Sequence, residues 1–132
     1  MISHVFIGIT DFDRALRFYS SVMGELGLEL KFCEREASWA GWMTKDAPRP
    51  LFLISKPYDG NPSSAGNGQM VALLAPDRRA VDRAHASALT NDGADEGAPG
   101  LRPQYHPNYY GAYFRDPDGN KICVCCHTSP AA

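Results

Sequence analysis

The sequence is short of most features that would narrow a function quickly. No apolar run approaches the length of a bilayer-crossing helix, and the N-terminus lacks a basic region followed by an apolar stretch. No membrane partner is expected. Basic residues are not in excess: 13 Lys and Arg stand against 15 Asp and Glu, for a net charge of -2 and a pI near 6.0. That balance offers nothing to a polyanion, so no nucleic acid partner is expected. There are 4 cysteines, and three of them crowd together as Cys123, Cys125 and Cys126. This is not a disulfide framework, so reduced thiols and a cytoplasmic location are the expectation. A Gly-x-Ser-x-Gly elbow is missing, and Gly66-Asn67-Gly68 sits among turn residues rather than in a phosphate-binding loop.

What is present suits one domain, 1–132, with an ordinary 44% of hydrophobic residues to form a core. Ile2 to Ile9 alternates like a strand, with Val5, Ile7 and Ile9 on one side and His4, Phe6 and Gly8 on the other. Asp11 is placed to cap a helix on which Ala15, Phe18, Val22 and Leu26 recur at helical spacing, and Gly27 closes it. Leu28 to Glu34 and Ser38 to Met43 follow as strands. A Pro-bounded turn, Asp46 to Pro50, leads to a fourth, Leu51 to Ser55. Trp39 and Trp42 are three apart on their strand, so they must point to opposite faces.

After a loop rich in Gly, Pro, Asn and Ser, 57–68, the pattern restarts. Gln69 to Leu74 reads as a strand, Pro76 suits the first helical position, and Val81, Ala84, Ala88 and Leu89 mark a helix face with His85 on its solvated side. Asp95 to Pro103 is turn-rich. Asp116-Pro117-Asp118-Gly119 then turns a hairpin whose last strand sets Ile122, Val124 and Cys126 on one face, Cys123 and Cys125 on the other. Arg115, Asp116 and Asp118 read as turn chemistry. His4-Val5 with Arg14-Ala15 aligns on Met70-Val71 with Arg79-Ala80 to within one residue, so the chain reads as two copies of one β-α-β-β-β unit, 1–56 and 69–128.

The segments YFRDPDGNKI (Tyr113 to Ile122) and SHVFIGITDFDRALRFY (Ser3 to Tyr19) resemble the vicinal oxygen chelate superfamily of glyoxalases, bleomycin-resistance proteins and extradiol-type dioxygenases. The resemblance covers essentially the whole chain. It implies an α+β fold in which two paired β-α-β-β-β modules form a curved mixed sheet, with helices on the convex face and a cavity in the concave one. It also implies a homodimer, as family members often dimerise. Metal-dependent members take ligands from equivalent strands, and those positions here are His4, Leu53, Met70 and Cys123. Only His4 matches the usual imidazole or carboxylate, so no cofactor is expected. A divalent metal in an altered site is the alternative, as is a soft His4, Met70, Cys123 site for Cu(I) or Zn.

The residues expected to line a ligand site are thus His4, Phe6, Met70 and Cys123, joined by His106, Tyr109 and Tyr110 from the aromatic segment Gln104 to Tyr110. Tyr109 and Tyr110 could equally cover a sheet edge or a subunit contact. A Cys123–His4 thiolate–imidazole pair is conceivable, but an apolar wall would raise the thiol's pKa and leave it inert. On a strand Cys126 faces away from Cys123 and Cys125, so these three and His127 cannot converge on zinc. The function expected is small-molecule binding of the glyoxalase/bleomycin-resistance type with a degraded metal site. The alternatives are a metal-dependent lyase, isomerase or dioxygenase, and an interaction module whose cavity is filled by side chains.

Overall fold

The computed structural model describes residues 1–130; positions 131 and 132, the last two of the expected domain, lie outside the described residues. Strand β1 (His4–Gly8) leads into helix α1 (Phe12–Glu25), then β2 (Glu29–Glu34), β3 (Trp39–Thr44) and β4 (Ala47–Ser55). The order repeats as β5 (Val71–Leu74), α2 (Arg78–Thr90), β6 (Ala94–Leu101), β7 (Tyr110–Arg115) and β8 (Lys121–Cys126). Each half forms its own four-stranded mixed sheet, ordered β1-β4-β3-β2 and β5-β8-β7-β6, with one parallel pair in each. The duplicated β-α-β-β-β pattern is therefore real.

Helix α1 starts where Asp11 accepts a hydrogen bond from the Arg14 amide and ends as the chain passes through Gly27 at positive φ. Its stripe of Ala15, Phe18, Val22 and Leu26 is buried against Trp42, Phe52 and Ile54. Val5 and Ile7 add to that core from β1, while His4 and Phe6 on the alternate positions are exposed. The second module repeats the logic with Val81, Ala84 and Ala88 packed among Phe114, Ile122 and Val124.

Several local expectations change. Helix α2 is capped by Asp77, whose side chain accepts from the Ala80 amide, so Pro76 stands just outside the helix rather than at its first position. Ala47 to Pro50 belongs to β4, because the β3–β4 ladder continues down to Thr44 and Ala47 and leaves only Lys45 and Asp46 to turn. The stretch Asp95 to Leu101, expected as turns, is strand β6; its Gly and Pro are absorbed by two register shifts against β7. Leu89 is exposed. His85 is buried instead, its Nε2 2.9 Å from Asp95 and its ring beside Phe114. The reason is visible in the spacing. Positions 81, 84, 85 and 88 form one helical stripe, and Asp95 satisfies the only polar member of it.

The modules meet through α1 against α2 and through the β7–β8 turn, which does more than reverse the chain. Gly119, at φ +89, closes it. Asp116 then accepts from Tyr19 of α1 at 2.6 Å, Asp118 from the Thr10 amide at 3.0 Å, and Asn120 donates to the Gly8 carbonyl at 2.9 Å. Three side chains of one turn thus fasten module two to module one. Among the described residues no ladder joins β1 to β5, so both edges stay unpaired.

Candidate functional site

The seven residues expected at one site occupy four places. His4 sits exposed on β1, its Nδ1 2.9 Å from the Ser3 hydroxyl. Phe6 shares its face and is also exposed. Met70, just before β5, lines an apolar groove of about 450 Å³ together with Ile2, Val5, Trp42, Leu51 and Leu73. That groove runs between the edge strands of the two modules. The tryptophans divide as the alternation required: Trp42 is in the core and at the groove, while Trp39 stacks on Phe32 on the other face, ring centroids 4.6 Å apart.

Tyr109 and Tyr110 part company. Tyr110 begins β7 and turns toward α2, where its hydroxyl donates to Asp82 at 2.6 Å and Arg78 lies over its ring. The Asp82 carboxylate raises its pKa. Neighbours on a strand take opposite faces, so Tyr110 cannot join a site with Tyr109. Tyr109 lies over the other face of the sheet. Its hydroxyl is 3.4 Å from the Cys123 sulfur and 3.0 Å from the Tyr113 hydroxyl. Gly111 makes this possible, since a Cβ there would come 2.8 Å from the Tyr109 ring. His106 packs edge-on against Tyr109, with its Nε2 2.8 Å from His127 Nδ1.

Cys123 is fully buried, yet its surroundings are polar. The partner expected for it was His4, but the groups that reach it are Cys125, Tyr109 and Tyr113. Inertness by apolar burial is therefore corrected. The neighbouring Cys125 thiol is the main reason its pKa falls to about 7, against the opposing effect of burial; the Tyr109 and Tyr113 hydroxyls and the Arg102 charge act in the same direction as Cys125. Cys125 moves the opposite way, raised chiefly by its neighbour Cys123 and then by burial. Tyr109 is raised by burial first and by Cys123 second. Cys126 faces the core.

Three participants stand outside the expected ligand set, although Cys125 was placed on the cavity face. Cys125 was legible, because it shares the face of Cys123 two residues on. Tyr113 was legible too, since β7 pairs it directly with Cys123. Arg102 was not; it follows directly on β6, whose pairing with β7 brings it over the Tyr113 ring. The residues at the four ligand-equivalent positions are an imidazole, an isobutyl group, a thioether and a thiol. Among the described residues no three His, Cys, Asp or Glu side chains are placed to hold a metal ion. This donor set does not fit a hard divalent cation.

Two β-α-β-β-β modules whose helices pack against each other, with an apolar groove between their edge strands, define an α+β fold of paired modules. Residues 1–124 match the Glyoxalase/Bleomycin resistance protein/Dioxygenase superfamily, and the chain belongs to that family. Among solved structures it is similar to a glyoxalase/bleomycin resistance protein from Albidiferax ferrireducens T118, at 34% identity and TM-score 0.86, covering 96% of this chain and 98% of that one. It also shares its fold with a glyoxalase/bleomycin resistance protein/dioxygenase family enzyme from Burkholderia phytofirmans PsJN, at 18% identity and TM-score 0.68, covering 96% and 98%. A lactoylglutathione lyase from Agrobacterium tumefaciens matches at 23% identity and TM-score 0.63, covering 96% and 92%. No curated protein sequence matches the chain. No helix among the described residues is long and apolar enough to cross a membrane.

Proposed function

We propose that this chain binds an apolar small molecule, as a homodimer in the cytoplasm, and does so without the divalent metal used by many of its relatives. The observation that carries the reading is the groove between the modules. Its volume of about 450 Å³ falls in the size range of small-molecule sites, and its walls are the apolar side chains of both modules. The donor set of His4, Met70 and Cys123 supports the metal-free part, since a thioether and a thiol replace hard ligands. Unpaired β1 and β5 edges, rimmed by exposed Ile2, Phe6, Met70 and Leu74, support pairing with a second copy. Four free cysteines suit a reducing compartment.

Trp42 lies in the groove wall and reports on its occupant. Anilinonaphthalene sulfonate should bind near one per chain, quench Trp42 fluorescence, and lose affinity when Met70→Lys places a charge in the groove. Protein purified without chelator should carry no stoichiometric Ni, Mn, Fe or Zn, and light scattering should give twice the chain mass. Stoichiometric metal that disappears in His4→Ala would refute the metal-free reading in favour of a metal-dependent lyase, isomerase or dioxygenase. Dye binding indifferent to Met70→Lys would dismiss the groove as the site.

A further inference from the structure

We propose that Cys123 is a peroxide-reactive thiolate with Cys125 as its resolving thiol, a covalent site separate from the groove between the modules. A backbone amide fixes the tautomers of two histidines. The Asn108 N–H can only donate, and it donates to His106 Nδ1 at 3.1 Å. The neutral His106 ring therefore carries its proton on Nε2 and donates to His127 Nδ1, 2.8 Å away. His127 in turn holds its proton on Nε2, which faces the Cys125 sulfur at 3.6 Å. With an N–H directed at its sulfur, Cys125, which shares the face of Cys123 two residues along β8, is free to turn its own S–H toward Cys123. From the other side Tyr109 donates to Cys123 at 3.4 Å, and Tyr113 can donate to Tyr109 at 3.0 Å. One chain of donors ends on the Cys123 sulfur and the other on its neighbour Cys125. Cys123 has acceptor duties only, which is the hydrogen-bonding pattern of a thiolate.

The electrophile must be small, because Cys123 is fully buried beneath the half-buried Tyr109 ring. A hydroperoxide, with hydrogen peroxide as the smallest, meets that limit. The thiolate attacks one peroxide oxygen; an S–O bond forms and the O–O bond breaks. The departing oxygen takes a proton from Tyr109, which regains one from water through Tyr113. The Cys125 sulfur then attacks the Cys123 sulfenic acid, forming an S–S bond while the hydroxyl leaves with the Cys125 proton as water. Two thiols are oxidised by two electrons, and the peroxide is reduced to water and the matching alcohol or a second water. Two residues along a strand span about 6.7 Å between Cα atoms, at the upper end of what a disulfide bridges. Such a bond is strained, so cellular thiols should reduce it readily.

The test is peptide mapping by mass spectrometry after brief exposure of folded protein to hydrogen peroxide, with Cys33→Ser to remove the exposed thiol of β2. The peptide holding Cys123 and Cys125 should lose two hydrogens and regain them with dithiothreitol. In Cys125→Ser, Cys123 should gain one oxygen and become trappable by dimedone. Tyr109→Phe should slow the oxidation by about tenfold, below the full value of a general acid because Tyr113 remains nearby. Circular dichroism checks that each variant is folded. Cys123 left unmodified while Cys33 is oxidised in the parent protein would overturn the proposal. A sulfenic acid that persists with Cys125 present would overturn the resolving step.

Discussion

Removing one oxygen atom from the joint between the modules should be costly. Tyr19 is fully buried in α1, packed against Phe18, Trp42 and Phe52, and its hydroxyl donates to Asp116 at 2.6 Å. Tyr19→Phe keeps the ring and deletes only this bond. A hydrogen bond to a charged group contributes about 1.5–3 kcal/mol. Asp116 keeps the Asp118 and Asn120 amides on one oxygen and the Asn120 side chain on the other, so the lower end, about 1.5–2 kcal/mol, is the expected loss. For a chain of this size that lowers Tm by roughly 6–8 °C. The loss should depend on pH in a defined sense. Burial raises the Asp116 pKa, and the Tyr19 bond is the largest influence holding it down. Without that bond the folded-state pKa rises further, and the ionised form becomes less tolerable in the fold. A raised carboxylate contributes most when protonated, at pH below its unfolded value, and loses that contribution as pH rises through the folded pKa. The gap between variant and parent should therefore be widest at neutral pH and narrow as pH falls through the Asp116 transition. Urea unfolding followed by circular dichroism from neutral to acid pH measures it. A neutral-pH loss under about 0.5 kcal/mol, the size of an ordinary surface substitution, or a gap that widens in acid would refute the reasoning.

Other perturbations test other parts. Gly111→Ala puts a Cβ 2.8 Å from the Tyr109 ring and should push it aside. The expected cost is about 1–3 kcal/mol of stability, with faster labelling of Cys123 by a disulfide reagent; unchanged labelling would mean that Tyr109 does not cover the thiol. Asp95 and Glu96 have lowered pKa values, set first by hydrogen bonds from His85 and Arg115 respectively. Stability from depressed carboxylates is present above their unfolded pKa and is lost as pH falls through the folded one, so acid unfolding should set in below about pH 4, and earlier in His85→Ala. Met70→His with Cys123→Glu supplies two imidazoles and a carboxylate together with His4, but the three positions occupy separate places in one chain, so Zn or Ni should leave Tm unchanged. A Tm that rises with metal would mean that the three positions meet in a common space in the assembled protein.

Much of the framework could be read from spacing alone, because alternation in strands and stripes in helices are local properties. The two faces of β8, the split between Trp39 and Trp42, the caps at Asp11 and Gly27, and the repeat itself all follow from period. What could not be read depends on partners far off in the chain. Nothing near Asp116 announces Tyr19, and the turn motif explains its residues without reference to a second module. Strand β6 was hidden by Gly97, Pro99 and Gly100, residues that disfavour strands unless a bulged edge accommodates them. The chemistry of Cys123 was misjudged for the same reason. An alternating strand tells which face a thiol takes, and here that face meets the Tyr109 and Tyr113 hydroxyls and the charge of Arg102, just past the end of β6.

Every strand ladder lies wholly within 4–55 or within 71–126, and the segment between them serves neither sheet. Chain continuity is therefore dispensable to the hydrogen-bonded architecture. A protease that cut within 57–68 would leave both ladders whole, with the turn at Asp116 to Asn120 still gripping Gly8, Thr10 and Tyr19 from across the nick. Two polypeptides, one per half, carry all the recognition they need to find each other.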